Sequence, residues 1–155
     1  MKKEFMQMAI DIAVESVKEL NGGPFGAVIV KDGEIIAKTT NSVTIVNDPT
    51  AHAEINAIRQ ACHELNTFDL SGCDIYSSCE PCPMCLSALY WAKIDKIYYA
   101  ADRYAAEKIG FNDSLIYTEL SLPENERSIP VENIMKEEGQ APFELWQKTE
   151  NKIEY

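Results

Sequence analysis

Basic side chains are scarce in this sequence. Its 155 residues include 14 Lys and Arg against 25 Asp and Glu, which gives a formal net charge of −11 and a sequence pI near 4.6. Because this charge repels polyanions and nucleic-acid-binding domains carry basic patches, we expect neither RNA nor DNA as a partner. A neutral small molecule suits such a surface better, although solubility alone explains the acidity equally well.

Long apolar runs are missing as well. No stretch approaches the roughly 18 apolar residues of a membrane span, and acidic residues interrupt the apolar ones in the N-terminal MKKEFMQMAIDIAVESVKEL, unlike in a secretion signal. We therefore expect no membrane association and predict a cytoplasmic protein. The five cysteines are an odd number, which argues against a disulfide framework and for metal binding or redox chemistry.

The first forty residues predict a helix followed by a β-hairpin. Apolar residues recur at helical spacing up to NGG at 21 to 23, which carries a helix-ending signal. Two β-rich runs, 25 to 31 and 34 to 40, flank Asp32 and Gly33, the residue pair most typical of a tight hairpin turn. We expect these two runs to pair antiparallel.

Helices and strands alternate in the middle of the chain. After the loop NSVTIVNDPT we predict a helix at AHAEINAIRQACHEL, a strand at CDIYSS, a helix from about Pro81 and a strand at KIYYAA. This alternation predicts an α/β fold, a three-layer α/β/α sandwich with a central mixed β-sheet. By length, residues 1–155 form one domain, with an irregular stretch near 121 to 142 before a closing amphipathic helix at FELWQKTENKIEY.

Three cysteines crowd into SSCEPCPMC at 77 to 85, and the prolines distinguish them. Pro81 disfavours helical backbone at the residue before it and suits the first position of a helix, so we predict a helix start at or just after it. Cys82 and Cys85 then share one face of the first turns, where the helix N-terminus favours thiolates. Cys79 stays in the strand.

A third metal ligand is available in HAE. His52 with Cys82 and Cys85 makes three protein ligands, the number typical of a catalytic zinc with a position open for water. His52 and Glu54 serve one site only if a helix begins there, and the preceding DPT favours such a start. Glu54 would then carry protons. Two alternatives to a zinc site remain: the four residues are unrelated in the fold, or the cysteines form a redox Cys-x-x-Cys motif. The other histidine, His63, we interpret as structural.

HAE followed by PCPMC is the H-x-E…P-C-x-x-C pattern of zinc-dependent base and nucleoside deaminases. On these motifs the chain resembles the cytidine-deaminase-like superfamily over about residues 24 to 101. The resemblance implies one Zn²⁺ per chain, bound by His52, Cys82 and Cys85, with Glu54 shuttling protons without binding metal. It also implies hydrolysis in which zinc-bound hydroxide attacks an amine-bearing ring carbon and ammonia leaves.

Other stretches bear on the substrate. GGPFGAVIVKDG, SSCEPCPMCLSALYWA, GFNDSLIYTEL and the ending NKIEY resemble bacterial guanine deaminases over nearly the full length, which implies hydrolysis of guanine to xanthine and ammonia in purine catabolism. NDPTAHAE is also similar to bacterial tRNA adenosine deaminases, but those usually end in a basic helical region. Three alternatives stay open: a deaminase of another base or nucleoside such as guanosine or cytosine, a tRNA adenosine deaminase, and a non-enzymatic structural zinc or redox module.

The resemblance to guanine deaminases assigns further residues. It implies that Asp113 in GFNDS is a second proton carrier near the leaving amine and that Asn41 hydrogen-bonds the purine, since an amide can donate and accept. The backbone N–H of Ala53 would meet a substrate atom, and Phe25 and Trp91 would flank the ring. Taken alone, these residues would be interpreted as a turn aspartate, a strand-ending asparagine and packing aromatics.

The C-terminus carries one more implied role. Tyr155 resembles a terminal tyrosine that reaches the neighbouring subunit's site when the C-terminal segment is exchanged in a dimer. The resemblance thus implies a homodimer in which residues from about 121 to 155 are exchanged. A frayed tail is the alternative for an arbitrary terminus.

Overall fold

The computed structural model describes residues 2–154. The chain divides into two compact units, the first ending at Ser114 and the second beginning at Leu115. In chain order its elements are α1 (Lys2–Lys18), β1 (Gly26–Lys31), β2 (Glu34–Thr40), α2 (Val43–Val46), α3 (Ala53–Leu65), β3 (Cys73–Cys79), α4 (Pro83–Trp91), β4 (Lys96–Ala101), α5 (Arg103–Glu107), α6 (Ser114–Ser121) and α7 (Ala141–Lys148).

The first unit is built on a four-stranded sheet in the order β2-β1-β3-β4. β1 pairs antiparallel with β2 and with β3, whereas β3 and β4 run parallel, so the sheet is mixed as predicted. The hairpin turn has positive φ at both Asp32 (51°) and Gly33 (84°), the conformation that matches the twist of the flanking strands. The predicted hairpin is confirmed.

Side chains of β1 alternate between the two faces of this sheet. Ala27 and Ile29 belong to the apolar core that the strands share with α3 and α4. Val28 and Val30 pack on the opposite face, against α1 and its Phe5. Because a strand buried on both faces has helices on either side, the first unit is a three-layer α/β/α sandwich, and the predicted fold class is confirmed.

Two boundaries differ from the predictions. α1 ends at Lys18, and Leu20, which the helical pattern would include, has φ of 57° and is 85% exposed. The predicted loop after β2 contains a short helix, Val43–Val46, closed by Asn47 in the left-handed conformation. The first difference lies at an element end, where one or two residues of local turn geometry escape an apolar pattern. The second is a separate helix of four residues, which is too short to show an apolar period in the sequence.

The second unit contains α7, which confirms a closing helix but ends at Lys148, so that 149 to 154 of the predicted stretch are not helical, and two short 3-10 turns at Glu124–Glu126 and Glu138–Gln140. No residue from 115 to 154 is buried. The unit therefore exposes many large apolar side chains, among them Leu115, Ile116, Leu120, Ile129, Ile134, Phe143, Leu145 and Trp146. No helix within residues 2 to 154 is long and apolar enough to cross a membrane.

Candidate metal centre

The first ligand candidate lies at the start of α3. His52 is the N-cap of this helix and has an extended backbone (φ −69°, ψ 158°), while Glu54 lies in its first turn. Asp48 accepts hydrogen bonds from the backbone N–H and the hydroxyl of Thr50, at 2.8 and 2.7 Å, in the turn just before. Because the helix begins between them, His52 and Glu54 need not diverge as they would in mid-helix. The predicted helix start at DPT is confirmed.

The cysteine ligands lie at the start of α4, which begins later than predicted. The helix starts at Pro83, and Cys82 is its N-cap with φ −64° and ψ 168°. The prediction placed the start at or just after Pro81, and the first helical residue is Pro83, because Pro83 in turn disfavours helical backbone at Cys82 and is itself a favoured first residue. Cys82 and Cys85 nevertheless remain three residues apart at one helix end.

The three ligand atoms converge. Nδ1 of His52 lies 3.6 Å from Sγ of Cys82 and 3.5 Å from Sγ of Cys85, and the three atoms all lie within 4.8 Å of one another. Two atoms bound to one tetrahedral zinc at the usual Zn–N and Zn–S lengths lie about 3.6 Å apart. Cys85 is fully buried, whereas His52 and Cys82 are partly exposed, which leaves an approach for a substrate. Donor types and spacing therefore fit zinc.

The two thiols are electrostatically unequal without a cation. A hydrogen bond with Cys85 and another with His52 lower the pKa of Cys82 to about 4, against the opposing effect of burial. Cys85 has a raised pKa because its hydrogen bond with Cys82 and its burial favour the neutral thiol. The pKa of His52 is raised as well, because the His52 ring forms a hydrogen bond with Cys82. A bound zinc overrides this inequality, because metal coordination deprotonates thiols.

Cys79 stands apart from this group. It is the last residue of β3, and its Sγ lies 3.7 Å from the carbonyl oxygen of Asp102. Burial raises the pKa of the Cys79 thiol to about 11, so it stays protonated at neutral pH. The group of ligand atoms that could hold a metal contains His52, Cys82 and Cys85 and does not include Cys79.

Glu54 lies beside the ligands without joining them. Its side chain is 5% exposed, Oε1 accepts a hydrogen bond from Ser77 Oγ at 2.8 Å, and Cys85 Sγ donates to Oε2 at 3.4 Å. Burial raises the pKa of the Glu54 carboxyl, which these hydrogen bonds partly oppose. Sequence reasoning missed Ser77. Ser77 lies two residues after the core residue Ile75 on β3, so both side chains point to the same face of the sheet. A polar serine on this otherwise apolar face was the available signal of a functional contact.

Hydrogen bonds fasten the start of α3 to the end of β2. The hydroxyl of Thr39 donates to the carbonyl oxygen of Ala53 at 2.7 Å. Nδ2 of Asn56 donates to the carbonyl oxygen of Thr40 at 2.9 Å and to the hydroxyl of Ser42 at 3.1 Å. Ala53 is fully buried and is the first helical residue, where a backbone N–H has no helical acceptor. Sequence reasoning missed Thr39 and Asn56.

The remaining candidate residues differ in their surroundings and in their exposure. Asn41 follows β2, is 7% exposed and accepts two backbone hydrogen bonds through Oδ1. Asp113 is half-buried, which raises its pKa, while the charge of Arg103 lowers it. Trp91 is the last residue of α4 and is 73% exposed. Tyr155 lies outside the described residues.

Phe25 borders an apolar cavity next to the centre. Its ring meets that of Phe111 edge to face, with centroids 4.9 Å apart and an angle of 88°. The cavity has a volume of about 390 Å³ and is lined by Phe25, Ser78, Cys79 and further apolar residues, most of them on α1, β4 and α5; none of the three ligands lines it.

Comparison with known proteins agrees with this geometry. A family model described as the cytidine and deoxycytidylate deaminase zinc-binding region matches residues 1–101. The chain is 51% identical over 151 residues to guanine deaminase of Bacillus subtilis (strain 168), covering 97% of each chain. An X-ray structure of guanine deaminase from Bacillus subtilis superposes with a TM-score of 0.96 at 50% identity, covering 99% of this chain and 98% of that one. A tRNA-specific adenosine deaminase of Aquifex aeolicus is 47% identical over 100 residues, covering 64% of this chain and 66% of the relative.

Proposed function

The chain belongs to the cytidine and deoxycytidylate deaminase zinc-binding family, and from this premise we propose that it is a guanine deaminase. It is a zinc aminohydrolase that converts guanine and water into xanthine and ammonia. In this reaction the oxygen of water becomes bonded to C2 of the ring while the bond from C2 to the exocyclic amine breaks. The amine leaves as ammonia after gaining a proton.

One observation carries the choice of guanine. Similarity to the Bacillus subtilis guanine deaminase continues through the second unit, over 97% of each chain, whereas the Aquifex tRNA deaminase matches 64% of this chain. The motifs around the metal centre are common to both groups and do not separate the substrates. The net charge of −11 also disfavours an RNA, whose phosphates require basic contacts.

The residues of the centre divide the chemistry among them. His52, Cys82 and Cys85 would hold zinc, which when bound would supply an activated water as the nucleophile at neutral pH. Glu54 takes up a proton at Oε2 and returns it to the ring, while Ser77 holds the other oxygen. Burial supports this role, because it raises the pKa of the Glu54 carboxyl and so favours the uptake of a proton.

Other side chains complete the proposed site. Asp113, whose pKa burial also raises, delivers the second proton to the departing amine. The free first-turn N–H of Ala53 contacts a ring atom, and Asn41 binds the ring edge. Phe25 flanks the ring. Trp91, the last residue of α4, is the second aromatic side chain at the ring.

We propose further that the enzyme is a cytoplasmic homodimer in which residues from about 121 to 155 are exchanged and Tyr155 reaches the partner's site. The second unit supports the exchange, because it buries none of its apolar side chains and such a surface is normally covered by another protein surface. All five cysteines are free, which fits a reducing compartment.

A comparison of substrates tests the activity. Zinc per chain is measured, and ammonia release is followed in parallel from guanine, guanosine, cytosine, adenine and a tRNA anticodon stem-loop. We expect turnover of guanine alone. Turnover of guanosine without guanine would contradict the substrate and retain the family's chemistry, whereas zinc without any ammonia would favour a structural module.

Glu54→Ala separates proton transfer from metal binding. The variant should lose turnover and keep a full complement of zinc, because Glu54 is adjacent to the ligands but not among them. Loss of zinc together with activity would show that Glu54 is needed to build the metal centre.

A further inference from the structure

The loop after α1 holds the side-chain amide of Asn41 in one orientation. Oδ1 accepts hydrogen bonds from the backbone N–H of Gly23 at 3.4 Å and of Val43 at 3.2 Å. Because backbone N–H groups only donate, the atom that both approach must be the carbonyl oxygen, which fixes the amide against a flip. Asn41 is 7% exposed, so its amide has little room to turn.

The loop achieves this contact through glycines and a buried serine. Gly22 has φ of 126°, and a Cβ there would lie 1.9 Å from the backbone oxygen of Asn41. A Cβ on Gly23 would lie 3.4 Å from Oδ1 of Asn41 and 3.3 Å from the ring of Phe25. Ser16, which is 4% exposed on α1, donates from Oγ to the carbonyl oxygen of Gly23 at 3.2 Å. These contacts connect α1 to the amide of Asn41.

The other end of the amide is free. Within residues 2 to 154, Nδ2 of Asn41 has no hydrogen-bond partner. Asn41 follows β2, and two residues earlier Thr39 bonds the carbonyl oxygen of Ala53, between His52 and Glu54. The N–H groups of Nδ2 are therefore available at the end of β2 that is fastened to the metal centre.

On the proposed function, we infer that Ser16 and Gly23 are positioning residues that fix Asn41 as a hydrogen-bond donor, so that the site selects purines by an acceptor on the ring edge. This narrows the expectation that the amide both donates and accepts. Guanine presents such acceptors at O6 and N7. A ring that presented an N–H or an amino group instead would leave two donors facing each other.

Asn41→Asp tests the direction of the hydrogen bond. Aspartate keeps an oxygen that can accept from Gly23 and Val43, but an ionised aspartate has no proton to donate. We therefore expect kcat/KM for guanine to fall on the order of 100-fold or more, the loss typical of a site whose hydrogen bond to the substrate is removed. Zinc content and the thermal midpoint are measured alongside. Retained activity in Asn41→Asp would overturn the inference, because it would mean that the side chain accepts from the ring.

A double-mutant cycle tests the positioning role. Ser16→Ala should raise KM for guanine about 2- to 13-fold, the equivalent of one hydrogen bond, with kcat and zinc unchanged. In the Asn41→Ala background the same substitution should change KM little, since its effect passes through Asn41. An equal effect in both backgrounds would mean that Ser16 acts only on the general fold and would overturn its role.

Glycine substitutions give a second measurement. Gly23→Ala should raise KM more than the control Gly72→Ala, whose added Cβ would meet only Cε of Lys31, at 3.7 Å. Equal KM values for the two variants would count against the inference. These outcomes are distinct from failure of the proposed function, in which the unsubstituted enzyme would not release ammonia from guanine at all.

Discussion

Removal of the Ser77 hydroxyl should disable Glu54 without disturbing the metal. Oε1 of Glu54 lies 2.8 Å from Ser77 Oγ, and both side chains are buried. Hydrogen bonds to ionised groups contribute about 1.5–3 kcal/mol. In Ser77→Ala the buried carboxylate loses this bond, so it either rotates toward another donor or takes up a proton. Both responses deplete the ionised, correctly oriented form, and the same free energy corresponds to a loss of kcat of about 10- to 150-fold.

The neighbouring serine provides a matched control. Ser78 is also buried, and its Oγ accepts one hydrogen bond from the backbone N–H of Gly26 at 3.0 Å, with no bond to Glu54. Ser78→Ala should therefore lower the thermal midpoint and keep kcat within about threefold. Loss of this hydrogen bond reduces the free energy of unfolding by about 1–3 kcal/mol but leaves Glu54 in place. The assay is kcat at saturating guanine with zinc measured per chain. An unchanged kcat in Ser77→Ala, or an equal loss in Ser78→Ala, would refute the reasoning.

The other predictions concern the ligands, the second proton carrier and the tail. Cys79→Ser should keep zinc and activity, whereas Cys82→Ser and Cys85→Ser should lose both, as measured by metal analysis and ammonia release; a zinc-free Cys79→Ser protein would contradict the ligand set. Asp113→Asn should lower kcat for guanine at least tenfold with zinc retained, because an amide cannot carry the proton; an unchanged kcat would return Asp113 to the role of a turn residue. Deletion of residues 151 to 155 should reduce kcat/KM far more than zinc content, and a fully active truncated enzyme would argue against a role for Tyr155.

Much of the fold and the ligand set was predictable because each depends on local patterns. The hairpin at Asp32 and Gly33 and the alternation of helices with strands follow from spacing and turn residues. The ligand set could be predicted because all three ligands lie at helix starts, and prolines and small polar residues mark helix starts in a sequence. The start of α4 was predicted two residues early because two prolines compete for the first helical position, and only Pro83 satisfies the extended backbone of Cys82.

The residues that support the ligands were not predictable in the same way. Ser77 holds Glu54 across 23 positions of sequence, and Gly23 holds Asn41 across 18. These contacts depend on the register of β3 and on the path of a loop, which no local pattern determines. Sequence reasoning therefore identified the groups that carry the chemistry but left out the groups that orient them, and it left the direction of the Asn41 amide undetermined.

The negative charges of the metal centre can be balanced without basic side chains. Two thiolates and the Glu54 carboxylate place three negative charges in a largely buried site, which is costly unless they are compensated. A divalent zinc offsets two of them. The N-termini of α3 and α4, which both point at the site through His52 and Cys82, each contribute roughly half a positive charge. Backbone dipoles thus offset the third charge, so that a strongly acidic chain can hold a near-neutral site for an uncharged base.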